Sequence, residues 1–312
     1  MVNLQKILIT GGAGNLGSWL TRHLIKSGFD VTVISRSPSH DHLPEAVKII
    51  QLDITDVGAC KSVLSSLSFD GIIHLASSNE FFEEDYGHKA LMVNTHGTRN
   101  LLDAINKESI KHFMYFSTFH VYGRKSGLIR ESLYPEPKND YALTHYFAEK
   151  YIHQFHESYN FPYTIFRLTN SYGSPISLDT TKWYLLLNDI AKMAFEQKKI
   201  RLNSNGNAMR DFIWMGNVCE IVESALKLIP QNATFNLGAG KTLTVFEVAE
   251  KVSEAYADFT GTRIPVEINQ EDINEYPAMN VSVEKLQGWV NYRAEEKFYE
   301  EAIKIFKLLE QN

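Results

Sequence analysis

The sequence predicts an α/β fold: a doubly wound parallel sheet followed by a smaller C-terminal α/β unit. Three observations carry this expectation. From Lys6 to Ser117, short apolar strand patterns alternate with helical ones. A glycine-rich turn joins the first strand to the first helix. The chain has 312 residues, 44% of them hydrophobic and 22% charged, which is ordinary globular composition. That length holds one large α/β unit or two modest domains.

Each element has a local reason. Lys6–Thr10 reads as a buried strand, short and apolar and ended by glycines. Asn15–Ser27 has helical spacing, with Leu16, Leu20 and Leu24 on one stripe and Gly28 closing it. Strands follow at Val31–Ser35, Val47–Leu52, Gly71–Leu75 and His112–Ser117, separated by helical stretches at Val57–Ser66 and Lys89–Lys107. Such alternation implies a parallel sheet covered on both faces and linked by right-handed crossovers. A long helix, Tyr141–Tyr159, and a strand, Tyr163–Arg167, continue the pattern. Beyond a less regular stretch holding a helix at Tyr184–Gln197, strands at Thr234–Leu237 and Ile264–Ile268 mix with helices at Val245–Tyr256 and Ala294–Leu309. The expected division is a sheet domain over residues 1–170, with 208–231 returning to it, and a second unit formed mostly by 171–312.

Charge and cysteine usage narrow the function classes. The 31 Lys plus Arg against 37 Asp plus Glu leave a net charge of −6, so no nucleic-acid partner is expected. Two cysteines, Cys60 and Cys219, cannot build a disulfide framework, and a cytoplasmic location is the natural reading. Eleven histidines lack a metal-triad spacing, so no metal is expected. The N-terminal apolar run Ile7-Leu8-Ile9 is too short for a signal-peptide core or for a span of about 20 residues. No membrane partner is expected.

The turn Thr10-Gly-Gly-Ala-Gly-Asn-Leu-Gly17 places glycines at Gly11, Gly14 and Gly17. Glycine permits the tight turn and lets a pyrophosphate approach the backbone, while the helix N-terminus offers free N–H groups. In this strand–helix context the spacing points to dinucleotide binding on a Rossmann-type sheet, through Gly11, Gly14, Asn15, Leu16 and Gly17. An acidic residue at the end of the second strand would select NAD; the chain has Ser35-Arg36-Ser37 instead. A guanidinium between two hydroxyls suits a 2′-phosphate, so NADP is the expected cofactor, with NAD as the alternative if Arg36 is only a solvated loop residue.

Taken in order, several motifs resemble the extended short-chain dehydrogenase/reductase family, the NAD(P)-dependent nucleotide-sugar epimerase, dehydratase and reductase group. Leu52-Asp53-Ile54 resembles its adenine-contacting segment, and His74-Leu75-Ala76-Ser77 the strand whose backbone lies along the cofactor. The helix holding Asn94 and the strand end Ser117-Thr118 are similar to its Asn-containing helix and its catalytic Ser/Thr motif. Arg167-Leu-Thr-Asn170 and Arg210-Asp211-Phe212-Ile213 resemble the segments that meet the nucleotide diphosphate, which implies Asn170 and Arg210 as substrate ligands. Asn236-Leu-Gly238-Ala-Gly240 is similar to a late turn of the group. The resemblance implies a nucleotide-sugar substrate, a homodimer and catalysis by a Tyr-x-x-x-Lys pair, in which the Tyr moves a proton and the Lys binds the nicotinamide ribose and lowers the Tyr pKa.

Two registers compete for that pair. Tyr146 and Lys150 fit the spacing literally, whereas Tyr141 fits the surroundings, with Thr144 three places on and Ala148-Glu149 at the group's usual offset. Five residues turn a helix by about 140°, so both tyrosines cannot face one cleft. Ala148, Tyr151, Ile152 and Phe155 mark the buried stripe that Tyr141 and His145 continue. Tyr141 is therefore the expected acid/base, beside Thr118, and Tyr146 and Lys150 are expected to be a surface pair. His145 then stands where the group has lysine. It either donates to the ribose as a neutral imidazole or is held protonated beside the cofactor.

Two further departures bear on the reaction. Phe119-His120 replaces the Asp-Glu that dehydratases of the group carry after the strand-five Thr, which disfavours water elimination. Asn269-Gln-Glu-Asp272 stands where an Arg-led diphosphate clamp is usual, leaving Arg263 as a possible substitute. The expected function is 4-epimerisation or keto-sugar reduction on a nucleotide-linked sugar. The alternative is a catalytically reduced dinucleotide-binding sensor or assembly protein, against which the presence of both Thr118 and Tyr141 argues.

Overall fold

The computed structural model describes residues 4–79, 84–178, 180 and 182–311. Its centre is a seven-stranded sheet. The strands β1 (Lys6–Thr10), β2 (Asp30–Ser35), β3 (Lys48–Gln51), β4 (Gly71–His74) and β5 (His112–Thr118) are joined by Tyr163–Leu168 and Ala233–Leu237. Their spatial order runs Ala233–Leu237, Tyr163–Leu168, β5, β4, β1, β2, β3, and every pairing is parallel. The order reverses between β4 and β1. In such sheets the crevice for a ligand opens at the carboxyl ends of these strands.

Continuous apolar runs make the strands because both faces are covered. Ile7, Ile9, Val33, Ile73 and Met114 pack against Leu20 and Leu24 of helix Asn15–Lys26 and against Val218 and Val222 of helix Met215–Lys227. On the other face Leu8, Ile72, Phe113 and Ile165 meet Cys60, Leu101, Ala148 and Ile152. A third apolar cluster lies beside the sheet, where helices Leu186–Gln197, Val245–Thr260 and Phe298–Glu310 bury Ile190, Val248, Val252 and Ile305.

The expected division of the chain needs correction at the C-terminal side. Strand Met209–Trp214 pairs with Asn170–Tyr172 and Thr242–Thr244 in a small separate sheet, and only the helix after it packs on the central sheet. The return then continues beyond residue 231, because Ala233–Leu237 forms the edge of the seven-stranded sheet along Tyr163–Leu168. The stretch expected as one helix from Lys89 to Lys107 is α-helical at Tyr86–Ala90 and Thr98–Ala104 but widens into a π-helical turn at Leu91–Gly97. The strand expected at Ile264–Ile268 shortens to Val266–Glu267, whose sole strand partner among the described residues is the two-residue Ile200–Arg201.

One buried ion pair lashes the long helix Asp140–Tyr159 to the sheet. Glu149, with 1% of its side chain exposed, accepts from Arg167 Nη2 at 2.7 Å and Nε at 3.0 Å. Ser117 Oγ at the end of β5 donates to the same carboxylate at 2.6 Å. Removing one partner leaves the other charge buried and uncompensated, so Glu149→Ala is expected to lower unfolding stability by about 3–5 kcal/mol. Urea denaturation measures this, and a loss below about 1 kcal/mol would show the lash to be dispensable.

Candidate active site

A single cleft of about 790 Å³ runs across the carboxyl ends of the central strands. Its floor begins at the glycine turn. Gly11 closes β1 with φ +69°, and Gly14 N donates to Gly11 O at 3.0 Å. A Cβ on Gly17 would lie 2.0 Å from Gly11 O, and one on Gly11 would lie 2.8 Å from Ala76 N. The turn therefore closes only with glycine at these two places. Helix Asn15–Lys26 starts here with no side chain capping its first turn, so its leading amides are free to hold an anion. Gly14, Asn15, Leu16 and Gly17 all line the cleft.

The wall beside this turn comes from the ends of β2, β3 and β4. Ser35, Arg36, Ser37, Asp53, Ile54, Leu75, Ala76 and Ser77 line it. Ser35 Oγ lies 2.6 Å from His40 Nε2 and accepts from Ser37 N at 3.1 Å. Arg36 is exposed and has no ion-pair partner among the described residues. His40, which the sequence did not single out, also lines the cleft; burial and the neighbouring His42 lower its pKa. Asp53 folds back on its own loop, accepting from Thr55 N and Oγ1 at 2.9 and 2.8 Å.

Asn94 is the one expected cofactor ligand outside the cleft lining. Its amide is 1% exposed and braces two walls internally: Oδ1 accepts from Ser78 N at 2.7 Å, while Nδ2 donates to Ser78 O at 3.2 Å and Thr144 Oγ1 at 3.0 Å. Asn94 thus ties the loop after β4 to the helix that carries Tyr141.

At the far end of the floor stand Thr118 and Tyr141. Thr118 ends β5, and Tyr141 opens helix Asp140–Tyr159, whose first turn is capped by Asn139 Oδ1 accepting from Ala142 N at 2.9 Å. Burial pushes the Tyr141 phenol up to about 12, partly offset by its hydrogen bond with Thr118. The ring of His145 meets Tyr141 edge-on at 4.6 Å. His145 Nδ1 lies 2.7 Å from the Tyr115 hydroxyl, and its Nε2 is buried with no partner among the described residues. Burial, then the nearby His74 and His120, bring its pKa down to about 3. Burial therefore disfavours a charge on this imidazole, and none of the described carboxylates is bonded to it. On another face of the helix Lys150 Nζ sits over the Tyr146 ring at 4.8 Å, and neither residue lines the cleft.

Beyond Tyr141 the lining turns polar and cationic. Asn170 Nδ2 donates to Asp211 O at 2.9 Å. Arg210 lines the cleft and makes no ion pair among the described residues; burial lowers its pKa. The neighbouring Asp211 points the other way into the interior. It accepts from Ala239 N, Gly240 N and Thr169 Oγ1, each at 2.8 Å, and burial holds its carboxyl up at about 6. Arg263 does not line the cleft, so its suggested role as a substitute clamp falls away; residues 269–272 are bonded instead to Ser204 and Asn205. Lys182, unmarked in the sequence, donates to Asn79 Oδ1 at 2.7 Å and lines the cleft beside Tyr184. Among the described residues no cluster of His, Cys, Asp or Glu could hold a metal, and no helix is long and apolar enough to cross a membrane.

The comparisons with known proteins cover nearly the whole chain. A UDP-glucose 4-epimerase of Halalkalibacterium halodurans is 27% identical over 91% of this chain and 90% of its own. A dTDP-L-rhamnose 4-epimerase of Burkholderia thailandensis is 26% identical over 82% of each. Among solved structures, a UDP-glucuronic acid 4-epimerase from Bacillus cereus, in complex with UDP-glucuronic acid and NAD, superposes with a TM-score of 0.79 at 22% identity, covering 98% of this chain and 99% of that one. That likeness bears on the fold. The model of the NAD dependent epimerase/dehydratase family matches residues 7–238, from β1 to the edge of the Gly238 turn, and the chain belongs to that family.

Proposed function

We propose that the chain is an NAD(P)-dependent enzyme acting on a nucleotide-linked sugar, interconverting a hydroxyl and a carbonyl to achieve 4-epimerisation. The observation that carries this reading is a single cleft with an uncapped helix N-terminus at one end and the hydrogen-bonded Tyr141–Thr118 pair at the other. The residues fit a dinucleotide: the glycine cradle leaves no room for a Cβ, and His145 Nε2 is a buried polar atom with no partner among the described residues. When bound, the nicotinamide supplies a hydride acceptor and donor. The chain's own residues do the rest. Tyr141 Oη exchanges a proton with the sugar hydroxyl, Thr118 holds Tyr141 by its hydrogen bond, and Arg210, a cation without an internal partner, suits the diphosphate of the substrate. The named 4-epimerases among the relatives support a sugar nucleotide as substrate.

A reductase working with NADPH is the second reading, and Arg36 favours it. An exposed guanidinium beside Ser35, Ser37 and His40, with no acidic residue among them, suits a 2′-phosphate. The proposal also includes a cytoplasmic location, supported by two buried and unpaired thiols, and a homodimer, supported by the family resemblance.

Three measurements test these readings. Tyr141→Phe is expected to lower turnover of a sugar-nucleotide substrate by about 10²–10⁴-fold while leaving dinucleotide binding nearly intact; if Tyr146→Phe inactivates instead, the register is wrong. Calorimetry should give an NADPH affinity at least about tenfold weaker in Arg36→Ala, with NADH affinity unchanged. Equal wild-type affinities, untouched by that substitution, would exclude a 2′-phosphate site. The third concerns pH. With no cation beside it, Tyr141 ionises only in strongly alkaline solution, so oxidative turnover should climb as pH rises. His145→Lys supplies a cation and should move that climb to lower pH; an unchanged profile would remove position 145 from the control of Tyr141.

A further inference from the structure

We propose that Tyr115 is a positioning residue: its hydroxyl donates to His145 Nδ1 and thereby holds the imidazole in the tautomer that carries its proton on Nε2. The family's mobile ammonium is thus replaced by a fixed, uncharged N–H at the place where the cofactor's ribose is expected. That last clause rests on the dinucleotide reading; the tautomer itself rests on the protein alone.

The balance of hydrogen-bonding groups fixes the tautomer. Tyr115 lies in the middle of β5 with 1% of its surface exposed, and His145 is 2% exposed. Between them there is one hydrogen bond of 2.7 Å, and the proton in it belongs either to the phenol or to the imidazole. Among the described residues the Tyr115 hydroxyl has no other partner, and His145 Nε2 has none at all. If His145 Nδ1 were the donor, the phenol proton would be left buried without an acceptor and the Nε2 lone pair without a donor. Two groups would then lose their solvation with nothing in return. If the phenol donates, both Nδ1 and the phenol proton are satisfied, and one group remains over: the Nε2 proton.

The surroundings favour the same arrangement. The titratable groups packed against His145 are Tyr141 and Tyr115 at ring distances of 4.6 and 5.9 Å, with His74 and His120 near enough to oppose any charge on it. His74 is itself engaged on both sides, by Thr10 Oγ1 at 2.5 Å and Thr98 Oγ1 at 2.8 Å, and so offers His145 nothing. The residue lines the cleft between Tyr141 and the end of β4. A ribose hydroxyl is an acceptor as well as a donor, and an oriented N–H meets it without the desolvation that a buried ammonium would require. Tyr115 touches neither reactant nor cofactor; it acts through His145.

The test is nuclear magnetic resonance of the whole protein with ¹⁵N-labelled histidine, with and without added NAD, on wild type, Tyr115→Phe and His145→Gln, the last serving to assign the signals. The two-bond ¹H–¹⁵N pattern at neutral pH should give His145 a protonated Nε2 and an unprotonated Nδ1. In Tyr115→Phe, which removes one oxygen and keeps the ring in the core, the two nitrogens should move towards the averaged shifts of a tautomer mixture. NAD affinity should fall about two- to tenfold, the range a single neutral hydrogen bond supplies. A wild-type pattern with Nδ1 protonated, or a Tyr115→Phe pattern identical to wild type, overturns the proposal. If no dinucleotide binds while the tautomer pattern is as expected, the functional reading fails and the role of Tyr115 stands.

Discussion

The site depends on one carboxylate. Glu149 takes two hydrogen bonds from Arg167 on one strand and a third from Ser117 on the next, from a helix that crosses both. Ser117 immediately precedes Thr118, and Glu149 lies two helical turns from Tyr141 and one from His145. A shift of that helix along its axis would part Tyr141 from Thr118 and His145 from Tyr115 together. A paired charge in the interior is poor at adding net stability but strict about geometry, because every misalignment exposes its desolvation. The apolar contacts of Ala148 and Ile152 beneath it supply attraction, and the carboxylate supplies register.

Much of this was legible in the sequence because it is local. The buried strands β1 and β4 are unbroken apolar runs, and the glycine turn is fixed by sterics within a few residues. The Tyr141 register could be chosen from the apolar stripe of its own helix. What escaped is what depends on distant partners. Asn94 reads as a cofactor ligand in its own segment, and nothing there reveals its amide's bonds to Ser78 and to Thr144, fifty positions away. Lys182 has no local signature; it becomes part of the cleft through Asn79, 103 positions earlier. His40 enters only because Ser35 turns its hydroxyl back towards it. The strand Ala233–Leu237 could have belonged to either sheet, since two inward residues, Phe235 and Leu237, do not specify which core receives them.

The imidazole at position 145 sits in a polar relay that is electrically quiet. Burial lowers the pKa of His74, His120 and His145 alike, which disfavours positive charge on these imidazoles. The cations Arg36, Arg210 and Lys182 line the cleft, and Arg210 lies near enough to His120 to oppose a charge on it. Tyr141 is held far up by burial, which its hydrogen bond with Thr118 offsets only in part.

Strand Met209–Trp214 carries Arg210 and Asp211 side by side, one turned to the cleft and the other to the interior, where it gathers the backbone of residues 239 and 240. Alternation along a strand makes this division a matter of counting. One inserted or deleted residue upstream that slipped the strand by a single place would turn the acid to the cleft face and the guanidinium to the interior face. Both errors arise from the same slip, so neither can be repaired by a substitution elsewhere. A change of length is therefore tolerable only in the loops that lead into the strand, and the spacing from residue 209 to residue 214 is as much a part of the site as the residues themselves.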